Sequence, residues 1–515
     1  MNPLPGAVID ENRNARSQLV VFCLGSIPFL VLVASHWGIG PLVQFGDWAQ
    51  YMSHADALRL GRHYGDIGYI FTSRNPFIGP PTQPPGLPAA LVPLLMITGG
   101  ARESAVYTLF MVACALAFLA GVAIYFTRAG SRPLAIATVL LTGLWLETGF
   151  VTNAVQPDAA FCAFVWGIFC LVDRPGSWGW RRVAGVTVLG LAALSFRMAA
   201  LPLLPALALY AFVHRRDVGV RAWVPVIVWC VSGLAVAALV PGTLTFARLV
   251  PRDVGMLVRG VMESAKIYPF AALDLFLYPF PWNHVNDAYH VAISAFAVVG
   301  LIAWLQMGAQ RLLALFALCY AGMLLVLPMQ DGRYLMPLAP FAVYLAALGI
   351  SIATRWTAVR LRRPLSLATS ETISLAVIVF IAAASLGHEL TRPRPAVLMD
   401  TPGVRPLFAR LQAARDSTPI RVLFMNPRVL TWRTGVPAMG FFLAAPDTTL
   451  AELRARRITH VVVGDVGTDE TRARSLQSTV EARPAAFRRL FAEGVFTVYA
   501  FDSTQAPPPV LPNVK

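Results

Sequence analysis

Eleven predominantly apolar stretches, near 18–36, 105–126, 133–151, 159–172, 183–198, 199–213, 223–241, 289–306, 312–328, 335–353 and 371–387, alternate with short arginine-bearing segments. A hydrocarbon core offers backbone polar groups no water, so such stretches enter it as helices, each needing about twenty residues if straight. The expectation is a polytopic α-helical membrane protein with about eleven transmembrane helices. Composition agrees: of 515 residues, 57% are hydrophobic and 13% charged, and the mean hydropathy is +0.61, too apolar for a soluble domain. Pro202, Pro205 and Pro225 are expected to kink or shorten the helices that carry them.

The formal charge of +15 comes largely from arginines in the connections: Arg13 and Arg16, Arg128 and Arg132, Arg174, Arg181 and Arg182, Arg215, Arg216 and Arg221, Arg311, and Arg355, Arg360, Arg362 and Arg363. All fall on one side of an eleven-helix count, which the positive-inside rule makes cytoplasmic, and they argue against nucleic acid as a partner. The N-terminus is then cytoplasmic. Loops near 37–104, 152–158, 242–288 and 329–334 face outward, as does everything after about 388. The apolar segment 84–98 would invert this count if it crossed. It is short for a span and opens on Pro-Pro-Gly, so it reads as an interfacial helix. The first stretch follows Arg13 and Arg16 as a signal peptide would, but lacks a clear small-residue cleavage site and reads as a retained helix.

All six cysteines, Cys23, Cys114, Cys162, Cys170, Cys230 and Cys319, sit in apolar stretches without metal-ligand spacing. After Arg392-Pro393-Arg394-Pro395 the composition becomes that of an ordinary domain. A helix near 408–415, β-rich runs at 420–425, 460–463 and 496–501, and a helix near 450–458 predict a small outer-face α/β domain over 388–505, compatible with a parallel sheet. The transmembrane domain covers 1–387, and the Pro-rich tail, 506–515, reads as disordered.

Gly46-Asp47-Trp48 opens a segment with Trp48, Met52, Ala55 and Leu58 at helical spacing and Gln50, His54, Arg59 and Arg62 elsewhere, which predicts an amphipathic helix at the membrane surface. Asp47 there is either an N-cap, with Gln50 completing a capping box, or a general base for an acceptor hydroxyl. Asp158, before the fourth helix, shares the same face and the same pair of readings. Arg74, Arg197 and Arg333 lie near helix ends on that face, where a planar guanidinium can hold phosphate. Arg197, flanked by long apolar runs, calls for a partner. Snorkelling or loop ion pairs account equally for Arg74 and Arg333. His54, His63, His284 and His290 with Asp287 show no convincing metal spacing. The aromatic run from Tyr268 to His284 suggests an interfacial lid over a lipid chain.

Four blocks resemble the GT-C superfamily of polytopic glycosyltransferases, in its bacterial branch of protein O-mannosyltransferases and aminoarabinose lipid A transferases. They are Gly46-Asp47 with Tyr51 and Ala57-Leu58-Arg59-Leu60-Gly61; Gln83-Pro84-Pro85-Gly86-Leu87-Pro88; Gln156-Pro157-Asp158-Ala159; and Gly332-Arg333-Tyr334 through Pro340. The resemblance implies inverting transfer from a polyprenyl-phosphate sugar to an outer-face glycan, lipid, lipid A or protein at a bacterial inner membrane. Asp47 matches the family's first-loop catalytic aspartate and Asp158 its second-loop acid. Arg197, Arg333 and Arg74 are the candidates for donor phosphate, and Gln83, Tyr51, Tyr334 and His54 for positioning donor or acceptor. Relatives often carry His, Lys or Glu where Gln83 stands. Some have paired acids where Asp47 stands alone, so a divalent metal is not indicated. A lipid or oligosaccharide flippase, and a ligase using a diphosphate-linked oligosaccharide, are the alternative readings.

Overall fold

A computed structural model describes residues 11–39, 46–75, 79, 81–102, 104–129, 131–148, 154–174, 176–239, 253–307, 311–327, 331–393, 397–467 and 470–504. The apolar stretches fold as helices: α1 (Glu11–Ser35), α4 (Ala105–Ala129), α5 (Arg132–Thr148), α6 (Asp158–Val172), α7 (Trp180–Phe196), α8 (Leu203–Val213), α9 (Trp223–Leu239), α11 (Asn283–Met307), α12 (Arg311–Val326), α13 (Ala339–Arg360) and α14 (Leu367–Thr391). By length and composition, five of the described helices can cross a membrane: those containing 15–35, 105–128, 283–307, 339–360 and 367–391. Of the others, α5, α6, α8, α9 and α12 contain shorter apolar helices, with α8 starting directly after Pro202. The helix α10 (Val254–Leu273), in the loop expected to be outward, was not foreseen. The tail at 506–515 lies outside the described residues.

In the bundle α5 packs against α1, α4, α13 and α14, α6 against α4 and α7, and α11 against α13. Trp166 of α6 meets Tyr125 and Phe126 of α4 edge-on or tilted at 5.3 and 5.4 Å, and Phe126 stacks on Tyr344 of α13 at 4.3 Å. Such rings hold three helices at fixed spacing through large apolar contact areas. Trp166 also donates from Nε1 to the Pro337 carbonyl at 3.1 Å, and Tyr320 of α12 donates to the Tyr334 carbonyl at 2.8 Å. The turn that carries Arg333 is thereby tied to two helices of the bundle.

Helix α2 (Asp47–Arg59) departs from the amphipathic expectation. Gln50 and His54 are buried, together with Trp48, Ala49, Tyr51, Met52, Ser53, Ala55 and Ala57, whereas Leu58 is exposed. Periodicity sorted its residues for a water-lipid boundary, but α2 is covered by protein on nearly every side. Helix α3 (Gly86–Ile97) has 12 residues, roughly 18 Å at 1.5 Å per residue and short of an apolar core about 30 Å thick. It buries Leu87, Leu91 and Leu95 and leaves Met96 and Ile97 exposed, packing on α2 and against the end of α7.

Beyond Leu398, helices α15 (Val404–Ser417), α16 (Pro427–Thr434), α17 (Pro446–Ala455) and α18 (Glu470–Ala482) surround a six-stranded sheet of order β1-β3-β2-β4-β6-β5. The strands are β1 (Tyr69–Ile70), β2 (Val422–Leu423), β3 (Ala438–Met439), β4 (His460–Val463), β5 (Phe487–Glu493) and β6 (Phe496–Phe501). The first four in that order pair in parallel, and β6 and β5 add antiparallel strands. The edge strand β1 comes from the loop between the first two apolar helices, with Tyr69 opposite Ala438 and Ile70 opposite Met439. A short edge strand donated in this way ties the loop to the C-terminal unit through backbone hydrogen bonds.

Candidate functional site

Asp47 is not an N-cap. Gly46 occupies that position without a side-chain cap, and Asp47 begins α2, where the helix dipole favours negative charge. Its carboxylate accepts from two arginines remote in sequence: Arg333 Nη2 reaches Oδ2 at 3.0 Å and Arg428 Nη2 reaches Oδ1 at 2.6 Å. Charge-assisted bonds of this kind are stronger than a neutral cap. Burial by itself would raise the Asp47 pKa, but the Arg428 and Arg333 guanidiniums overrule it and hold the carboxyl far below its usual range.

Arg333 lies in a single 3-10 turn, Gly332–Leu335, capped by Asp331, whose Oδ1 accepts from the Arg333 backbone N–H at 3.0 Å. The Asp331 carboxylate also meets Arg333 Nε at 2.6 Å. Asp47 and Asp331 hold this guanidinium charged against the opposing effect of burial.

Asp158 likewise opens its helix behind Pro157 with no side-chain cap bond, and its Oδ1 pairs with Arg197 Nη1. Arg197 follows the last residue of α7 in extended backbone, which turns its side chain out of the helix path. The Tyr334 ring lies 5.0 Å from Arg197 and 5.8 Å from Arg333, joining the two ion pairs through cation–π contacts.

Gln83 anchors the adjoining network. Its Oε1 accepts from Tyr51 Oη at 3.3 Å, and its Nε2 donates to Gln50 Oε1 at 3.2 Å, the same oxygen that accepts from Arg428 Nη1 at 3.1 Å. Gln50 therefore serves Arg428 and Gln83 in place of a capping box. The Gln83 backbone N–H donates to His54 Nε2, and Tyr64 Oη donates to the Gln83 carbonyl. With Nε2 accepting, His54 Nδ1 donates to the Tyr64 carbonyl at 2.8 Å. His54 is fully buried, which pushes its pKa down to about 4 despite that hydrogen bond. It is a neutral brace behind Gln83. Tyr51 keeps its proton because burial raises its pKa well above the ordinary value, with Arg197 pulling the other way.

Two glycines permit the assembly. A Cβ on Gly86 would lie 2.4 Å from Ser195 Oγ and 2.6 Å from the Phe196 ring, so the Pro-Pro-Gly block lets α3 close on the end of α7 beside Arg197. A Cβ on Gly46 would lie 2.7 Å from Asn426 Oδ1, where the loop after β2 rests on the start of α2.

Arg74 is not brought to this cluster. Its Nε meets Glu452 Oε2 of α17 at 3.3 Å, and Thr72 Oγ1 donates to the other oxygen of Glu452. The pair fastens the first long loop to the C-terminal unit. His290 Nε2 bonds the Leu277 carbonyl at 2.7 Å. Among the described residues no group of three or more His, Cys, Asp or Glu is placed to hold a metal ion.

Arg428 was missed from sequence. It sits at the first turn of α16, just beyond the carboxyl end of β2, where parallel sheets commonly place ligand sites. The available signal was one arginine in an otherwise uncharged run from Val422 to Trp432, following Asn426-Pro427.

No family model matches the chain, and no curated protein matches it. Solved structures do match in shape. The archaeal oligosaccharyltransferase AglB from Archaeoglobus fulgidus, in complex with an inhibitory peptide and a dolichol-phosphate, aligns with a TM-score of 0.55 at 10% identity over 97% of this chain and 75% of that one. The chain shares the overall fold of this oligosaccharyltransferase. The apo A. fulgidus oligosaccharyltransferase gives a TM-score of 0.54 at 12% identity, covering 98% of this chain and 76% of that one. ArnT from Cupriavidus metallidurans, in the apo state, gives 0.50 at 13%, covering 96% and 100%. Within this shared fold the paired acids and arginines gather at the end of the bundle that meets the C-terminal unit.

Proposed function

We propose that this protein is a membrane glycosyltransferase that moves a sugar from a polyprenyl-phosphate donor to an acceptor hydroxyl on the outer face of a bacterial inner membrane. The observation that carries the reading is the meeting of Asp47 with Arg333, 286 residues away: a base candidate and a phosphate-binding cation side by side in a GT-C fold. The dolichol-phosphate in AglB belongs to the proposed donor class. In this reading eleven helices cross the bilayer with the arginine-rich connections inside, and the C-terminal unit lies outside.

The acceptor oxygen attacks the anomeric carbon in line with the bond to phosphate, and its proton passes to Asp47. As the new C–O bond forms, the sugar–phosphate bond breaks and its electron pair leaves with the polyprenyl phosphate. A single displacement inverts the anomeric centre. Arg333 and Arg197 balance the growing phosphate charge, Asp158 holds Arg197 in place, and Tyr51, Gln83 and Tyr334 shape the approach. Arg74 contributes by docking the loop.

Purified protein supplied with polyprenyl-phosphate sugars and an envelope glycolipid extract tests this. Transfer is expected from wild type and to fall at least a hundredfold in Asp47→Asn, the scale of general-base loss. Full transfer by Asp47→Asn would remove Asp47 from the mechanism. Movement of labelled lipid across proteoliposomes without any covalent product would replace the enzyme reading with a flippase.

A further inference from the structure

Arg428 is the most buried of the three arginines, with 8% of its side chain exposed against 14% for Arg197 and 25% for Arg333. Its Nη2 is on Asp47 and its Nη1 on Gln50, while its Nε, also buried, has no hydrogen-bond partner among the described residues. The guanidinium lies 6.0 Å from the Tyr69 ring, and Nη1 is 3.0 Å from where a Cβ on Gly79 would stand. Tyr69 Oη in turn donates to the Gly79 carbonyl. Buried, charged and with its Nε–H unpartnered among the described residues, this group exceeds what a brace for Asp47 requires.

The charges around it are evenly matched. Arg197, Arg333 and Arg428 face Asp47, Asp158 and Asp331, with the Tyr51, Tyr69, Tyr268, Tyr320 and Tyr334 hydroxyl groups among the other titratable neighbours. Bound between two guanidiniums, Asp47 is a poor proton acceptor. A phosphodiester entering this cluster brings one further negative charge, and the arginines that can turn to it are those now on Asp47.

We propose that Arg428, brought to the site by the C-terminal unit, is a second donor-phosphate arginine, and that its transfer from Asp47 to the phosphate is what readies Asp47 to accept the acceptor's proton. This rests on the glycosyltransferase reading. Donor binding thus becomes a condition for general-base action: an acceptor arriving first meets a carboxylate already occupied. As the proton moves to Asp47, the charge that Asp47 loses reappears on the leaving phosphate, so the total charge facing the arginines is unchanged through the reaction.

Binding of farnesyl phosphate, a short polyprenyl phosphate, to the full chain in nanodiscs tests the exchange. Asp47→Asn, which releases the arginines, is expected to bind roughly tenfold tighter than wild type, the worth of one charge-assisted bond. Adding Arg428→Gln should abolish that gain. Should the Gln variant fail to fold, Arg428→Lys replaces it, keeping charge but not the planar fork, and is expected to lose several-fold of the gain. If wild type binds farnesyl phosphate and Asp47→Asn binds no tighter, or if the double variant binds as tightly as Asp47→Asn, the exchange is overturned while the donor assignment stands. If wild type does not bind farnesyl phosphate, both fall.

Discussion

At the scale of single residues, the site is set by which side chains are left without a local partner. Asp47 and Asp158 each open a helix, and the sequence allowed both a cap and a catalytic acid; in the structure neither makes a cap bond, and each takes arginine instead. His54 gives a pH prediction whose sign follows from linkage. Its pKa is about 4 in the folded protein against 6.5 when exposed, so between these values the unfolded chain binds the proton that the folded one refuses. Stability is therefore lost as pH falls from 6.5 toward 4, by up to about 3 kcal/mol. Thermal unfolding of wild type should show a steeper drop across that window than His54→Gln; equal slopes would mean that His54 is not the buried neutral group described.

Among the elements, the Pro-Pro-Gly helix shows how a motif can be recognised without its reason being visible. Its glycine matters because α3 meets Ser195 and Phe196 at a separation that excludes a methyl group. Gly86→Ala is expected to destabilise by about 1–3 kcal/mol through overpacking and to reduce transfer by shifting Arg197. Thermal denaturation and a transfer assay on the same preparation check both, and unchanged values would show that α3 has freedom to move. The amphipathic pattern of α2 misled because periodicity measures polarity along a helix, not which partner covers each face. Gln50 and His54 are polar and buried since their hydrogen bonds are supplied by Arg428, Gln83 and Tyr64.

Across the whole molecule, the C-terminal unit completes the site that the bundle begins. Strand β1, the Arg74–Glu452 pair and Arg428 all cross between the first long loop and that unit. Cysteines at Ile70 and Met439, register partners in neighbouring strands, are expected to form a disulfide under mild oxidation without loss of transfer, since paired strands bring Cα atoms within disulfide range. Failure to cross-link, read on a non-reducing gel, would mean that the loop does not dock as described. The sequence alone determined the apolar helices, the block order and the acids and arginines at helix ends, because hydropathy and local spacing are properties of neighbouring residues. Even the strands at 460–463 and 496–501 were legible in this way, as continuous β-rich runs. Only the tertiary structure decided that Asp47 binds Arg333 and Arg428, that Arg74 is spent on Glu452, and that two loop residues make a sheet edge. Those choices are electrostatic and steric competitions between groups hundreds of residues apart, and no local pattern records which partner wins.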